Sequence, residues 1–324
     1  MLGVPAASEV LIKSKDMLDN KIFKDKEIVC IYHDADYDGW ASAEIVRKYF
    51  SGYNNIKDLN TNVDVKFIGM NYGIKIDYKE LENKVIICCD YTPENFRDII
   101  KKSAYTIWID HHKSSALDMK DFNPDNLEKV LSLEYSACMG VWKYFFANEK
   151  IPQTVELLSK FDTFTFTPAE KNDCLCFQYG LDSLGKSSKI EGASWDDIFE
   201  SKQSFIDDIL IKGQLILDYR TGHFDVQVAN RAGRTTILEV LKLNKTYRVA
   251  YLNSPYCFSE CFKPFYDASK HDILITGYQN KDGRWAYSFY CPADKDIDVS
   301  LIAKEFGGGG HKGASGCTSD KQIV

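Results

Sequence analysis

The stretch IWIDHHKSS, from Ile107 to Ser115, decides how the rest of the chain is read. Apolar residues on successive positions close on Asp110, His111 and His112. A run with no polar alternation fits a strand buried on both faces, and such strands belong to parallel sheets covered by helices. In open parallel sheets, ligands bind beyond the carboxyl ends of the strands. Acid and imidazole massed at such an end therefore raise the question of a site.

The same pattern recurs upstream. EIVCIYH (Glu27–His33) is a short apolar run, followed by a helical stretch from about Gly39 to Phe50. VDVKFIG (Val63–Gly69), KVIICCD (Lys84–Asp90) and AYTIWID (Ala104–Asp110) are further strand candidates, with PENFRDIIKK as an intervening helix. SACMGVWKYFFAN from Ser136 and TVELLSKF after Pro152 carry apolar residues at helical spacing. The alternation predicts an α/β fold with a parallel sheet. Ser194 to Arg220 reads as a long connecting helix with Gly213 inside it. Beyond Arg231, YRVAYLN, HDILITGYQ and RWAYSFYC read as strands, NKDG as a hairpin turn, and VSLIAKEF as a helix stopped by Gly307–Gly310. The expected organisation is a first domain over 1–192, a helical linker over 193–232, and a smaller mixed α/β domain over 233–324.

Composition narrows the function. The chain has 324 residues, 44% of them hydrophobic, enough for two cores. A net charge of -7 argues against a long duplex nucleic acid held by charge. A short anionic substrate, held locally with cations, fits it. The 10 cysteines form no CxxC pair, no segment reaches membrane-span length, and MLGVPAASEVLIKSKD lacks the pattern of a signal peptide. These features predict a reduced, cytoplasmic protein with no membrane partner.

The predicted strand ends carry the chemistry. The first ends in HDADYDG, bringing His33, Asp34, Asp36 and Asp38; the third ends in Asp90; the fourth in Asp110, His111 and His112. Carboxylates gathered in one place repel one another unless cations neutralise them. Mixed Asp and His donors suit Mn²⁺, Mg²⁺ or Zn²⁺. Two ions match the ligand count, an arrangement suited to in-line attack on phosphate. Taken singly, each feature has a plainer reading: DYDG as a turn, Asp90 as the N-cap of the next helix, Asp-His-His as a solvated loop. Their coincidence at three strand ends favours a metal site.

These motifs resemble the DHH phosphoesterase superfamily, in order along nearly the whole chain. HDADYDGWAS resembles its first motif, Asp90 the second, IDHHKS the third, and KFDTF places Asp162 at the fourth. FGGGGHKGASG (Phe306–Gly316) resembles the signature of the DHH-associated C-terminal domain. NYG (Asn71–Gly73) is similar to the NrnA/NrnB oligoribonuclease branch. The resemblance implies one cation held by His33, Asp36 and Asp90 and a second by Asp38, Asp90, His111 and Asp162. Asp90 bridges them, Asp110 orients the histidines, and His112 faces the substrate phosphate. It also implies two divalent cations, Mn²⁺ with Mg²⁺ as the substitute, and substrate binding by Gly308, Gly309, Gly310 and His311. Two departures stand out. His33 precedes Asp36 by three positions where related pyrophosphatases use four, so Asp34 rivals His33. Tyr290 stands where many relatives carry arginine.

The expected activity is a metal-dependent phosphodiesterase that degrades short oligoribonucleotides or dinucleotides to mononucleotides. The rival readings are a 3′-phosphoadenosine 5′-phosphate phosphatase, a cyclic-dinucleotide phosphodiesterase and a non-catalytic nucleotide-binding module. Tyr37, Trp40, Tyr72 and Tyr91 lie near strand ends, either as platforms for bases or as ordinary core and rim.

Overall fold

A computed structural model of the chain describes residue 23 and residues 26–54, 64–71, 76–184, 194–255 and 257–324. Tyr72 and Gly73 of the NYG stretch, and the expected boundary at 192–193, lie outside the described residues. The chain forms two compact units: one comprises Met1–His111 and Ser115–Gly213, the other His112–Ser114 and Gln214–Val324.

The first unit is an α/β layer structure. Its strands are β1 (Ile28–His33), β2 (Val65–Met70), β3 (Val85–Cys89), β4 (Tyr105–Asp110) and β5 (Leu127–Leu131). All neighbours pair in parallel, in the order β2-β1-β3-β4-β5. The helices are α1 (Tyr37–Asn54), α2 (Phe96–Lys102), α3 (Lys113–Asp118), α4 (Ala137–Phe145), α5 (Gln153–Thr163), α6 (Lys171–Asp182), α7 (Ser194–Glu200) and α8 (Gln203–Tyr219), of which the start of α3 and the end of α8 belong to the second unit. The period of two along β1 explains its unbroken apolar run. Ile28, Cys30 and Tyr32 face a core shared with α1, α4 and α5, while Val29 and Ile31 face a second core with Phe96, Ile99 and Ile100 of α2.

The chain leaves β1 toward β2 and then returns to place β3 on the other side of β1. The strand order therefore reverses between β1 and β3, and the carboxyl ends of that pair mark the crevice where such sheets bind ligands. His33 ends β1 and Asp90 follows β3.

The predicted connector is interrupted and packed. After α8 come a five-residue π turn, Arg220–Phe224, and α9 (Asp225–Ala232). A Cβ on Gly213 would lie 1.7 Å from the Cys176 carbonyl oxygen, and one on Gly180 2.0 Å from that of Ile209. The two glycines let α6 and α8 approach backbone to backbone.

The second unit carries a mixed sheet. Its strands are β6 (Gly233–Val240), β7 (Lys245–Asn253), β8 (Ile273–Gln279), β9 (Trp285–Tyr290), β10 (Gly309–Gly310) and β11 (Ala314–Ser319), in the order β10-β11-β9-β8-β7-β6. Only β7 and β8 pair in parallel. Val249, Tyr251, Ile273, Ile275 and Phe289 pack against Val299, Ile302 and Ala303 of α10 (Val299–Glu305). All ten cysteines are free thiols. Among the described residues, no helix is long and apolar enough to cross a membrane.

Candidate metal centre

The first motif folds as a strand end running straight into a helix. Asp36 caps α1: its Oδ1 accepts the Gly39 N–H at 3.0 Å, and its carbonyl accepts the Trp40 N–H at 3.1 Å. Gly39 is required sterically, because a Cβ there would lie 1.9 Å from the His33 carbonyl oxygen. The turn leaves Asp36 Oδ2 at 3.1 Å from His33 Nδ1. Asp34 points elsewhere. Its Oδ1 accepts the Trp40 indole N–H at 2.8 Å, and its backbone N–H donates to the Met70 carbonyl at 2.8 Å. Between the two rivals in this motif, His33 joins the cluster.

Asp90 is not a helix cap, since the N-cap of α2 is Asn95. It sits in the left-handed backbone region with φ 55°, which Asp tolerates better than most residues, and its side chain is buried. Asp90 Oδ2 lies 3.6 Å from His33 Nδ1, and Oδ1 lies 3.1 Å from His111 Nε2. One carboxylate thus addresses two imidazoles from opposite oxygens. His111 Nε2 is also 3.3 Å from Asp38 Oδ2 and 3.2 Å from Asp162 Oδ2, the latter on α5.

Two trios emerge, His33–Asp36–Asp90 and Asp38–His111–Asp162, each with one donor atom per residue and all three within 4.8 Å. Donors about 2.1 Å from a common ion stand about 3.0 Å apart at right angles and about 3.4 Å apart at tetrahedral angles. The histidine–carboxylate separations, 3.1 and 3.6 Å in the first trio and 3.3 and 3.2 Å in the second, fall around those values, and imidazole with carboxylate is a donor set that Mn²⁺, Mg²⁺ and Zn²⁺ accept. The residues therefore fit a divalent cation in each trio.

The second trio has supports that the sequence did not reveal. Asp38 Oδ1 accepts the Ser136 hydroxyl at 2.6 Å and the Cys138 N–H at 2.8 Å, while Oδ2 accepts the Ala137 N–H at 2.9 Å. The carboxylate closes the N-terminus of α4, where unpaired N–H groups and the helix dipole favour an anion. Ser136 in turn donates its N–H to Ser159 Oγ at 2.9 Å, one turn before Asp162 on α5. The helical run from Ser136 was visible in the sequence, but the service of its serine to an acid 98 positions away was not.

Asp110 lies at the end of β4 and is buried. Its Oδ1 accepts the His111 N–H at 2.7 Å; its Oδ2 accepts the Thr92 hydroxyl at 2.9 Å and the Trp108 indole N–H at 3.3 Å. It therefore fixes the backbone that carries His111. His112 is half-buried just beyond β4.

Electrostatics follow from crowding. Burial, then the Asp90 carboxylate, pushes Asp38 up to about 6. Burial and neighbouring acids, against the pull of His111, hold Asp162 well above the usual carboxylate range. Burial alone would lower His33, but Asp36 and Asp90 outweigh it and raise it well above the usual value. His111 is raised likewise, burial being overcome by Asp162, Asp90 and Asp38. Without a cation, protons are the counter-ions of this cluster.

In the second unit, the glycines have a structural duty. Gly307, at φ 78°, ends α10, with its N–H on the Lys304 carbonyl and that of Gly308 on the Ala303 carbonyl. Gly309 and Gly310 form β10 opposite Gly316 and Ser315, and a Cβ on Gly308 would lie 2.0 Å from the Gly316 carbonyl oxygen. His311 follows, half-exposed, donating its N–H to the Ala314 carbonyl at 2.7 Å. Tyr290 is part of the core beside Phe262. Among the described residues, the aromatics near strand ends are not open platforms: Tyr37 and Tyr91 are buried, and Trp40 is half-buried on Asp34.

No family model matches the sequence. The Uncharacterized protein R106 of Acanthamoeba polyphaga mimivirus is 26% identical over 318 residues, covering 94% of this chain and 70% of its own. Among solved structures, the DHH domain of PF0399, a member of the s1p family of ribosomal proteins, superposes with a TM-score of 0.60 at 12% identity, covering 96% of this chain and 86% of that one. The pGpG-specific phosphodiesterase PggH from Vibrio cholerae gives a TM-score of 0.46 at 14% identity, covering 90% and 93%, too loose a likeness to argue from. The PF0399 likeness shows the fold: the chain shares the fold of that DHH domain.

Proposed function

We propose that this chain is a DHH-superfamily phosphoesterase that uses two divalent cations to hydrolyse short oligoribonucleotides or dinucleotides to mononucleotides. The observation that carries the reading is the Asp90 carboxylate, with one oxygen toward the His33 trio and the other toward the His111 trio. A shared carboxylate between two donor sets is what a pair of cations on one phosphate requires. Its position at the β1/β3 strand-order reversal adds independent support.

In this reading, His33, Asp36 and Asp90 hold one cation, and Asp38, Asp90, His111 and Asp162 the other. Bound cations, Mn²⁺ first and Mg²⁺ as the substitute, would polarise the phosphate and lower the pKa of the attacking water. Asp110 holds the His111 backbone in register through the 2.7 Å contact, and His112 is assigned to the substrate phosphate. Gly308, Gly309, Gly310 and His311 are assigned to substrate binding. The net charge of -7 favours a short substrate over a long one gripped at many phosphates.

The test is a panel assay on metal-stripped protein reloaded with Mn²⁺. Linear and cyclic dinucleotides, 3′-phosphoadenosine 5′-phosphate, longer RNA and DNA are compared for product release. Cation-dependent conversion of linear dinucleotides to mononucleotides is expected. Tight nucleotide binding without turnover would make the chain a binding module instead, and preference for 3′-phosphoadenosine 5′-phosphate would make it a phosphomonoesterase.

A further inference from the structure

Two residues beyond Asp162, α5 ends in an unusual way. Phe164 is the C-cap residue, in the left-handed conformation with φ 55° and ψ 31°. Its N–H reaches the Phe161 carbonyl at 3.3 Å, and the Thr165 N–H reaches back to the Lys160 carbonyl at 3.2 Å. This is the helix-ending turn that glycine normally occupies, because a Cβ is disfavoured there. A large aromatic at such a position is strained without any gain from burial, since Phe164 is 48% exposed. Backbone outliers that persist without a packing reason cluster at functional sites.

The ring does not stand alone. Phe161 lies 6.3 Å from it between centroids, and Phe166 lies 6.2 Å from it. Two half-buried aromatic rings thus neighbour an exposed one. With consecutive Cα atoms about 3.8 Å apart, Phe164 can be no further than about 7.6 Å along the chain from the Asp162 Cα. A nucleotide spans more than that from phosphate to base.

We propose that Phe164, backed by Phe161 and Phe166, is the stacking platform for a nucleobase of the substrate whose phosphate sits at the two trios. The inference rests on the phosphoesterase reading and narrows it, making the substrate a base-bearing phosphodiester rather than a simple phosphate or polyphosphate. A flat aromatic face recognises any base by stacking, so the platform favours nucleotides without selecting among them.

The test uses the full chain loaded with Mn²⁺ and two probes: a hydrolysis-resistant phosphorothioate adenine dinucleotide, and its counterpart lacking both bases. Phe164→Gly should hold or raise the melting temperature, since glycine adopts the turn at no steric cost. It should weaken dinucleotide binding roughly 5- to 150-fold, the range spanned by loss of one base–aromatic stack. Binding of the base-free probe should not change, and Phe164→Trp should keep dinucleotide affinity. Unchanged dinucleotide affinity in Phe164→Gly, with the melting temperature held, would overturn the platform. So would equal losses on both probes. If the wild-type protein binds the dinucleotide no better than the base-free probe, the platform also fails while the phosphoesterase reading stands. If it binds neither probe and no cation, the phosphoesterase reading itself fails.

Discussion

The two donor trios are chemically alike and structurally unlike. His33–Asp36–Asp90 is assembled at the strand end itself, and its outer acid, Asp36, has a side chain 41% exposed. Asp38–His111–Asp162 draws on α1, β4 and α5, and Asp38 and His111 are buried there. Three hydrogen bonds from Ser136 and the start of α4 fix the Asp38 carboxylate before any cation arrives. A donor fixed in advance loses little conformational entropy on binding, while an exposed one must be ordered. The contrast teaches that the inner trio is a rigid seat and the outer trio an adjustable one, with Asp90 a member of the outer trio whose second oxygen lies 3.1 Å from His111 of the inner one.

The largest effect should come from the shared residue. Asp90→Ala should abolish turnover at saturating Mn²⁺ with the fold retained by circular dichroism, because on the proposed reading both cations lose a ligand. Near-normal rates at high Mn²⁺ would show that the trios do not depend on it.

Next, His33→Ala should damage the outer trio alone, removing one cation and most activity. Asp34→Ala should cost far less, since its carboxylate is committed to Trp40. Activity of both variants across a Mn²⁺ series checks the order, and a larger loss for Asp34→Ala would reverse the assignment of the first motif.

Ser136→Ala should weaken the inner cation by roughly 10- to 100-fold, the usual cost of losing an outer partner of a metal ligand, and leave the outer one alone. Equilibrium dialysis with metal analysis separates the two. Equal weakening of both cations would mean that the trios are not independently supported.

The smallest and most graded effect concerns pH. With Asp38 raised to about 6, the folded cation-free protein binds more protons than the unfolded chain between the ordinary carboxylate range and pH 6, so stability falls as pH rises through that interval. The raised imidazoles act in the same direction: their stabilisation is complete below their unfolded value and is lost as pH climbs through their folded one. Cation-free protein should therefore melt lower at pH 8 than at pH 5.5. Added Mn²⁺ should raise the melting temperature more at pH 8, where fewer protons need be displaced. Thermal melts at both pH values decide it, and a larger metal effect at pH 5.5 would contradict the charge account.

What was legible in the sequence follows the same division. The strands β1, β3 and β4 could be read because both faces are buried and each run ends abruptly in charge. Strand β5 is half-exposed along its length, and LEKVL carries two charges, so it gave no apolar run to find. The outward-facing positions of β6, in GRTTILEV, hid that edge strand in the same way. The ligand types were visible wherever a strand end supplied them, but the hold of Ser136 on Asp38 spans 98 residues and leaves no local pattern. Tyr37 and Tyr91 stayed open between platform and core in the sequence because proximity to a strand end says nothing about which way a ring turns; both turn inward. Phe164 escaped notice because its unusual backbone angle is not written in residue type.

The central claim is a pair of cations sharing Asp90, and it is tested most directly by counting them. Metal-stripped protein titrated with Mn²⁺, followed by calorimetry and by the loss of the free-ion electron paramagnetic resonance signal, should take up two ions per chain. Spin coupling between the two bound ions should appear in wild type and vanish in Asp90→Ala. Uptake of a single uncoupled ion by the wild-type protein, or a coupled pair that survives in Asp90→Ala, would contradict the account.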